Sequence, residues 1–234
     1  MANIDSWQKD LKAGHSWFLI SGFIFLFMLS GRTLFSRFLA QNYYNKALTD
    51  FAKASRLPCD ITVEKSLLYQ RGLSLLKESS RLNPHSPLSY FGFAEAILEI
   101  EKDFLLKRSL DIKGLGSGKE GQGDFYDLAK GKLIEAISRE PTNPIYHQRL
   151  GAVYDKVSEA ANAEQEFRRA VLLDPQNISI RLYLSNYYLS KGKQAEFLNH
   201  LNRALKLDQE IYGRTGYEVR NFLEAIGRKD LIKQ

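Results

Sequence analysis

Apolar residues recur with helical spacing along nearly the whole chain, and they divide it into an uncharged opening stretch followed by a series of one-sided helices. From Ala13 to Gly31 there is no aspartate, glutamate, lysine or arginine, and the centre reads Trp17-Phe-Leu-Ile-Ser-Gly-Phe-Ile-Phe-Leu-Phe-Met-Leu29. As a helix these nineteen residues span about 28 Å, close to a hydrocarbon core of roughly 30 Å. The stretch is apolar around its full circumference, with Lys9 and Lys12 on one flank and Arg32 and Arg37 on the other, which predicts a transmembrane helix over 13–31 behind a short polar tail, 1–12. A cleaved signal peptide would need a small-x-small site, whereas the chain continues Ser30-Gly-Arg-Thr-Leu-Phe35. The expectation is a single-pass protein, most simply of a bacterial inner membrane with its C-terminal part outside the cytoplasm; the flanking charges do not decide the side.

Beyond this segment prolines set the rhythm. Pro84, Pro141 and Pro175 each close a helical stretch, and the last two stand 34 residues apart. Residues 34–82 predict a helical hairpin broken at Pro58-Cys-Asp60, and 83–213 predict three further hairpins. In the clearest of these, with Pro144 counted as position one, Leu150, Gly151, Tyr154, Ala163, Phe167, Ala170 and Pro175 fall at positions 7, 8, 11, 20, 24, 27 and 32. Asn143 before Pro144 forms an N-cap and first-turn pair. The next unit, Ile178 to Ile211, keeps Leu184, Ser185, Tyr188, Gly192, Leu201 and Ala204 but has Phe197 and Gln209 where a small residue and a proline would stand. The preceding unit opens at Pro87 with Phe93, Ala94 and Ile97 and resumes at Ala129, Leu133 and Ala136, after an insertion at about 107–123 whose glycine-rich part, Gly114 to Gly123, predicts a loop. Asp124 is a candidate N-cap there. Val219, Phe222, Leu223 and Ile226 follow helical spacing and predict a capping helix within 214–234.

This pattern resembles the tetratricopeptide repeat at each signature position except the fourth, where His147 replaces the usual tryptophan. The resemblance implies an all-α solenoid of antiparallel helix hairpins, preceded here by the one transmembrane helix. It further implies that positions 2, 5, 6, 9, 12 and 13 of each first helix line an inner groove that binds peptides or helices. In this chain that set includes Phe91, Glu95 and Glu99, then Gln148, Arg149 and Asp155, then Tyr183 and Asn186. The two-carboxylate clamp of chaperone-tail-binding members is not matched: Gln148, Ala152 and Leu182 occupy its positions, and only Asn186 fits.

Composition narrows the chemistry. The 33 basic and 27 acidic residues are interspersed, leaving a net charge of +6 without a basic block of the kind nucleic-acid binding needs. Cys59 is the single cysteine, so no intrachain disulfide is available. Gly114, Gly118 and Lys119 imitate a phosphate loop, but the spacing is one short and Glu120 replaces the hydroxyl residue. His15, His85, His147 and His200 lack metal spacing, and Asn177-Ile-Ser179 is a formal glycosylation sequon. No cofactor, metal, catalytic residue or small-molecule substrate is expected. The expectation is a non-catalytic, membrane-tethered scaffold that binds a protein partner in its groove and assembles or stabilises an envelope complex. The alternative is an accessory subunit of a polysaccharide- or lipid-synthesising membrane enzyme, docked through its anchor.

Overall fold

The computed structural model describes residues 31–58, 62–103 and 125–232. All regular structure in them is helical: α1 (31–56), α2 (Thr62–Leu82), α3 (Pro87–Lys102), α4 (Phe125–Arg139), α5 (Pro144–Lys156), α6 (Ala160–Leu173), α7 (Ile178–Ser190), α8 (Gln194–Tyr212), α9 (Tyr217–Ala225) and a single 3₁₀ turn, Lys229–Leu231. Residues 13–30, Cys59, the Gly114–Gly123 stretch and Asp124 lie outside the described residues, and with them the expectations placed there.

The single-pass membrane localisation requires correction. Among the described residues no helix is long and apolar enough to cross a membrane. Even α1, 26 residues long, carries Arg32, Arg37, Lys46, Asp50, Lys53 and Arg56, and charges at that density exclude it from hydrocarbon.

Successive helices pair in sequence order, α3 with α4, α5 with α6 and α7 with α8, while α2 packs on α3 and α9 closes against α7 and α8. The turns between hairpins are near copies. The amide of Ser86 reaches Asn83 O, that of Asn143 reaches Glu140 O and that of Asn177 reaches Asp174 O, at 3.1–3.3 Å. Proline follows the turn's start each time, fixing φ and ending the preceding helix. Asn143 Oδ1 then accepts from Ile145 N and Asn177 Oδ1 from Ile180 N, both at 3.1 Å, so two of the first helices begin on asparagine caps.

Close approach within hairpins depends on small residues. Ala94, Ala129, Ala136, Ala163, Ala170 and Ala204 are wholly buried. A Cβ added to Gly151 would stand 3.0 Å from the Phe167 ring, so the absence of a side chain is what lets α6 lie on α5. In α7 the equivalent position is Ser185, whose hydroxyl donates to Phe197 O at 3.1 Å and so satisfies itself in a dry setting. Gly72 repeats the device in the first hairpin, where it faces the ring of Phe51. Ser79 ties three helices together: its hydroxyl donates to Ala40 O at 2.7 Å and accepts from Ser89 at 2.7 Å.

The final helix stops at Ala225. Gly227 takes a positive φ of 74°, and the Arg228 amide returns to Leu223 O at 2.8 Å, closing the helix C-terminus. Val219 and Leu223 point inward and are fully buried.

Candidate functional site

The first helices of the three paired units, α3, α5 and α7, are joined by side chains that reach from one to the next. Phe91 on α3 lies against Tyr146 on α5, with ring centroids 4.8 Å apart and planes tilted by 36°. One turn further along, Glu95 faces Arg149 at 3.1 Å. Near the far end Asp155 binds Lys191, which immediately follows α7, at 2.7 Å. Lys191 also lies over the ring of Tyr187, 5.5 Å from its centroid.

The electrostatics of the Glu95–Arg149 pair are unusual. The two groups are at ion-pair distance, but Glu95 Oε1 and Arg149 Nε, both shielded from solvent, are not aligned as a hydrogen bond. Burial pushes the Glu95 carboxyl above its ordinary range, and neighbouring Glu99 adds to this, while Arg149 and Lys102 pull the other way. The two charges compensate each other by proximity, with their remaining carboxylate and guanidinium atoms left toward the face. Asp155 Oδ1, also shielded from solvent and without an aligned hydrogen bond, stands at ion-pair distance from Lys191, and the carboxylate raises the lysine's pKa.

The eight residues expected to line the groove are distributed as follows. Phe91, Glu95, Arg149 and Asp155 are half-buried and held by the contacts just described. Glu99 is exposed and bonds Lys102 within its own helix at 2.9 Å. Tyr183, at 44 % exposure, and Asn186 stand open on α7. Gln148 differs: at 4 % exposure it belongs to the packing between helices and offers a partner almost no surface. Tyr146 and Lys191, which complete two of the contacts, were not legible beforehand. Tyr146 occupies position 3 of its unit, which belongs to neither the groove set nor the signature set, and Lys191 lies outside the helix whose register carries the groove positions.

His147 is no ligand of this face. Its Nδ1 lies 2.6 Å from Glu166 Oε2 on α6, and its Nε2 lies 3.0 Å from Pro141 O. Among the described residues no three of histidine, cysteine, aspartate and glutamate gather as a metal site.

Hairpins stacked in chain order, with their first helices side by side, define an all-α solenoid of tetratricopeptide-like hairpins. No protein-family profile matches the chain, and no curated protein matches its sequence. Solved structures that are similar include MamA residues 41 to the end from Desulfovibrio magneticus RS-1, at 16 % identity over 76 % of this chain and 96 % of that one, TM-score 0.47. The tetratricopeptide domain of Arabidopsis OM64 is similar at 15 % identity over 66 % and 98 %, TM-score 0.47. The first such domain of Spaghetti (RPAP3), solved bound to an HSP90 peptide, is similar at 15 % identity over 64 % and 95 %, TM-score 0.42. The description of the fold rests on the hairpins themselves.

Proposed function

We propose that this protein is a non-catalytic interaction scaffold, which holds a segment of a partner protein against the face formed by α3, α5 and α7 and so assembles or stabilises a protein complex. The observation that carries the reading is the combination on that face of a half-buried ion pair, Glu95–Arg149, with exposed side chains on α3 itself, Glu99, and on α7, Tyr183 and Asn186. Arginine and tyrosine are the residue types in which binding energy concentrates. Phe91, half-buried beside them, is backed by the buried ring of Tyr146.

A photo-crosslinking amino acid placed in the full chain, in its native host, tests this directly. Introduced at Glu99, Tyr183 or Asn186, it should yield one common adduct. Introduced at Gln165 or Leu172, exposed on α6, it should yield none of that adduct. Adducts formed only from α6, or none from any groove position, would remove the proposal.

A further inference from the structure

The α5–α6 and α7–α8 hairpins differ at one set of equivalent positions where charge decides the outcome. Counted from Pro144, positions 4, 23 and 26 hold His147, Glu166 and Arg169; counted from Ile178, they hold Arg181, His200 and Arg203. In the earlier hairpin the first two meet as imidazole and carboxylate at 2.6 Å. The later hairpin has the same two positions and no acid. Ser185, one turn beyond Arg181, donates to Phe197 O at 3.1 Å, which puts this side of α7 against α8. Tyr188, a further turn along the same side, stacks on His200, with ring centroids 5.6 Å apart and planes 20° from parallel. Arg168 of α6 reaches the hydroxyl of that tyrosine at 3.2 Å, and Arg181 Nε donates to Pro175 O at 2.8 Å.

The result is cation beside cation. Arg181, His200 and Arg203 are all half-buried. Burial, then Arg203, lowers the pKa of Arg181; burial, then Arg181 and Arg168, lowers that of His200; no carboxylate acts on either. His200 Nδ1 is shielded from solvent without a hydrogen-bond partner. Arg203 joins no ion pair among the described residues. The carboxylates nearby are engaged elsewhere: Glu164 takes Arg168 at 2.6 Å and Lys193 at 2.8 Å, Asp174 accepts from Asn177, and Glu218 accepts from Ser179. Glu196, one turn before His200 on α8, acts on neither His200 nor Arg181. With the imidazole neutral, Arg181 and Arg203 are left as two half-buried charges without a counter-ion, a costly arrangement. A single carboxylate would balance only one of them. A divalent oxyanion balances both, and the planar donor pairs of guanidinium suit phosphate oxygens.

We propose that Arg181, His200 and Arg203 form a binding site for a phosphate group, at the position where the preceding hairpin holds its own carboxylate, Glu166. The site lies on the side of α7 turned toward α8, apart from the groove face, and stands whether or not that face binds a partner.

Inorganic phosphate is the probe, titrated calorimetrically into the full chain with ionic strength held constant by sodium chloride. Saturable binding is expected, with a melting temperature that rises and saturates alongside it. Arg203→Gln removes a group with no partner in the chain and should weaken binding about tenfold or more, the scale of one charge-assisted hydrogen bond. Arg169→Gln, the same position one hairpin earlier, should leave it unchanged. His200→Glu supplies within the chain the acid that Glu166 supplies to His147. It should raise the melting temperature without phosphate and abolish the further rise with it, a coupling that a purely structural role for the two arginines does not produce. Short-chain phosphatidic acid binding through Arg203 more tightly than inorganic phosphate would assign the group to a lipid headgroup. Equal or weaker binding would assign it to a soluble phosphate ester, and both results uphold the site. No binding, binding that survives both Arg203→Gln and His200→Glu, or binding lost equally in Arg169→Gln overturns the proposal. So does a glutamate-rich peptide that binds through Arg203 where phosphate does not.

Discussion

Six residues after each turn proline stands a hydrogen-bond donor that returns to that proline's carbonyl. Tyr90 Oη reaches Pro84 O at 3.5 Å, His147 Nε2 reaches Pro141 O at 3.0 Å and Arg181 Nε reaches Pro175 O at 2.8 Å. Three different side chains thus fasten the start of a first helix to the turn before it, at the position where the resembling repeats carry tryptophan. His147 adds a second bond, to Glu166. Both of its ring nitrogens therefore face acceptors, a carboxylate and a carbonyl, and only the imidazolium can donate to both. The Glu166 hydrogen bond, helped by Pro141 O, raises the pKa against the opposing effects of burial and Arg169. A histidine whose folded pKa lies above its unfolded value contributes stability fully below the unfolded value, about 6.5. That contribution is lost as pH rises through the folded pKa. His200 has the opposite sign: burial first, then Arg181 and Arg168, depress its pKa, so folding loses stability as pH falls below the unfolded value. Melting temperatures measured from pH 5 to 9 should show the advantage of the parent over His147→Gln shrinking with rising pH. The parent's deficit relative to His200→Phe should shrink over the same range. A pH-independent difference for His147→Gln would refute the charged staple.

At the scale of helices, magnitudes decide between residues that look alike. Replacing Asn177 with alanine removes the acceptor for Ile180 N and should cost about 1 kcal/mol in urea unfolding, most of it restored by Asn177→Ser. Gly151 sets two effects against each other. Alanine gains roughly 1 kcal/mol of helix propensity but places its Cβ 3.0 Å from the Phe167 ring, so Gly151→Ala should stay within about 1 kcal/mol of the parent. Gly151→Leu has no such compensation and should cost about 3 kcal/mol by prising α6 from α5; an unchanged midpoint would mean the helices are not in contact there. These elements were largely readable in advance. The prolines and small residues at repeat spacing announce the hairpins, and Asn143 announces its own cap. Asn177 carried the same signal 34 residues later, masked because Asn-Ile-Ser reads equally as a sequon. What was not readable depends on pairs brought together only by folding. His147 with Glu166, Glu95 with Arg149 and Asp155 with Lys191 each join helices whose relative rotation no single-helix pattern specifies. Gln148 was misplaced for the same reason, since one helical position separates the packed side from the open one.

At the scale of the whole molecule, the core is not a single mass. One cluster of buried side chains runs from Ala47 through Leu73, Ile97 and Leu133 to Leu150 and Val153, and another from Ala163 and Phe167 through Leu184 and Leu201 to Val219 and Leu223. They meet within the α5–α6 hairpin, where Tyr154 packs against both. Each hairpin therefore draws its stability from itself and its neighbours, as expected of a linear stack. Damage at one end should remain local until it reaches that junction. Val219→Asp places an unpaired carboxylate among Leu182, Tyr188 and Leu223 and severs α9 from the stack. Hydrogen exchange followed by mass spectrometry should show α7, α8 and α9 losing protection while amides of α2, α3 and α4 exchange at the parental rate. The α5–α6 hairpin should lie between, because α6 loses a neighbour while α5 keeps one. Uniform loss of protection from α2 to α9 would instead mean that the two clusters unfold as one unit, and the nearest-neighbour picture of this chain would have to be abandoned.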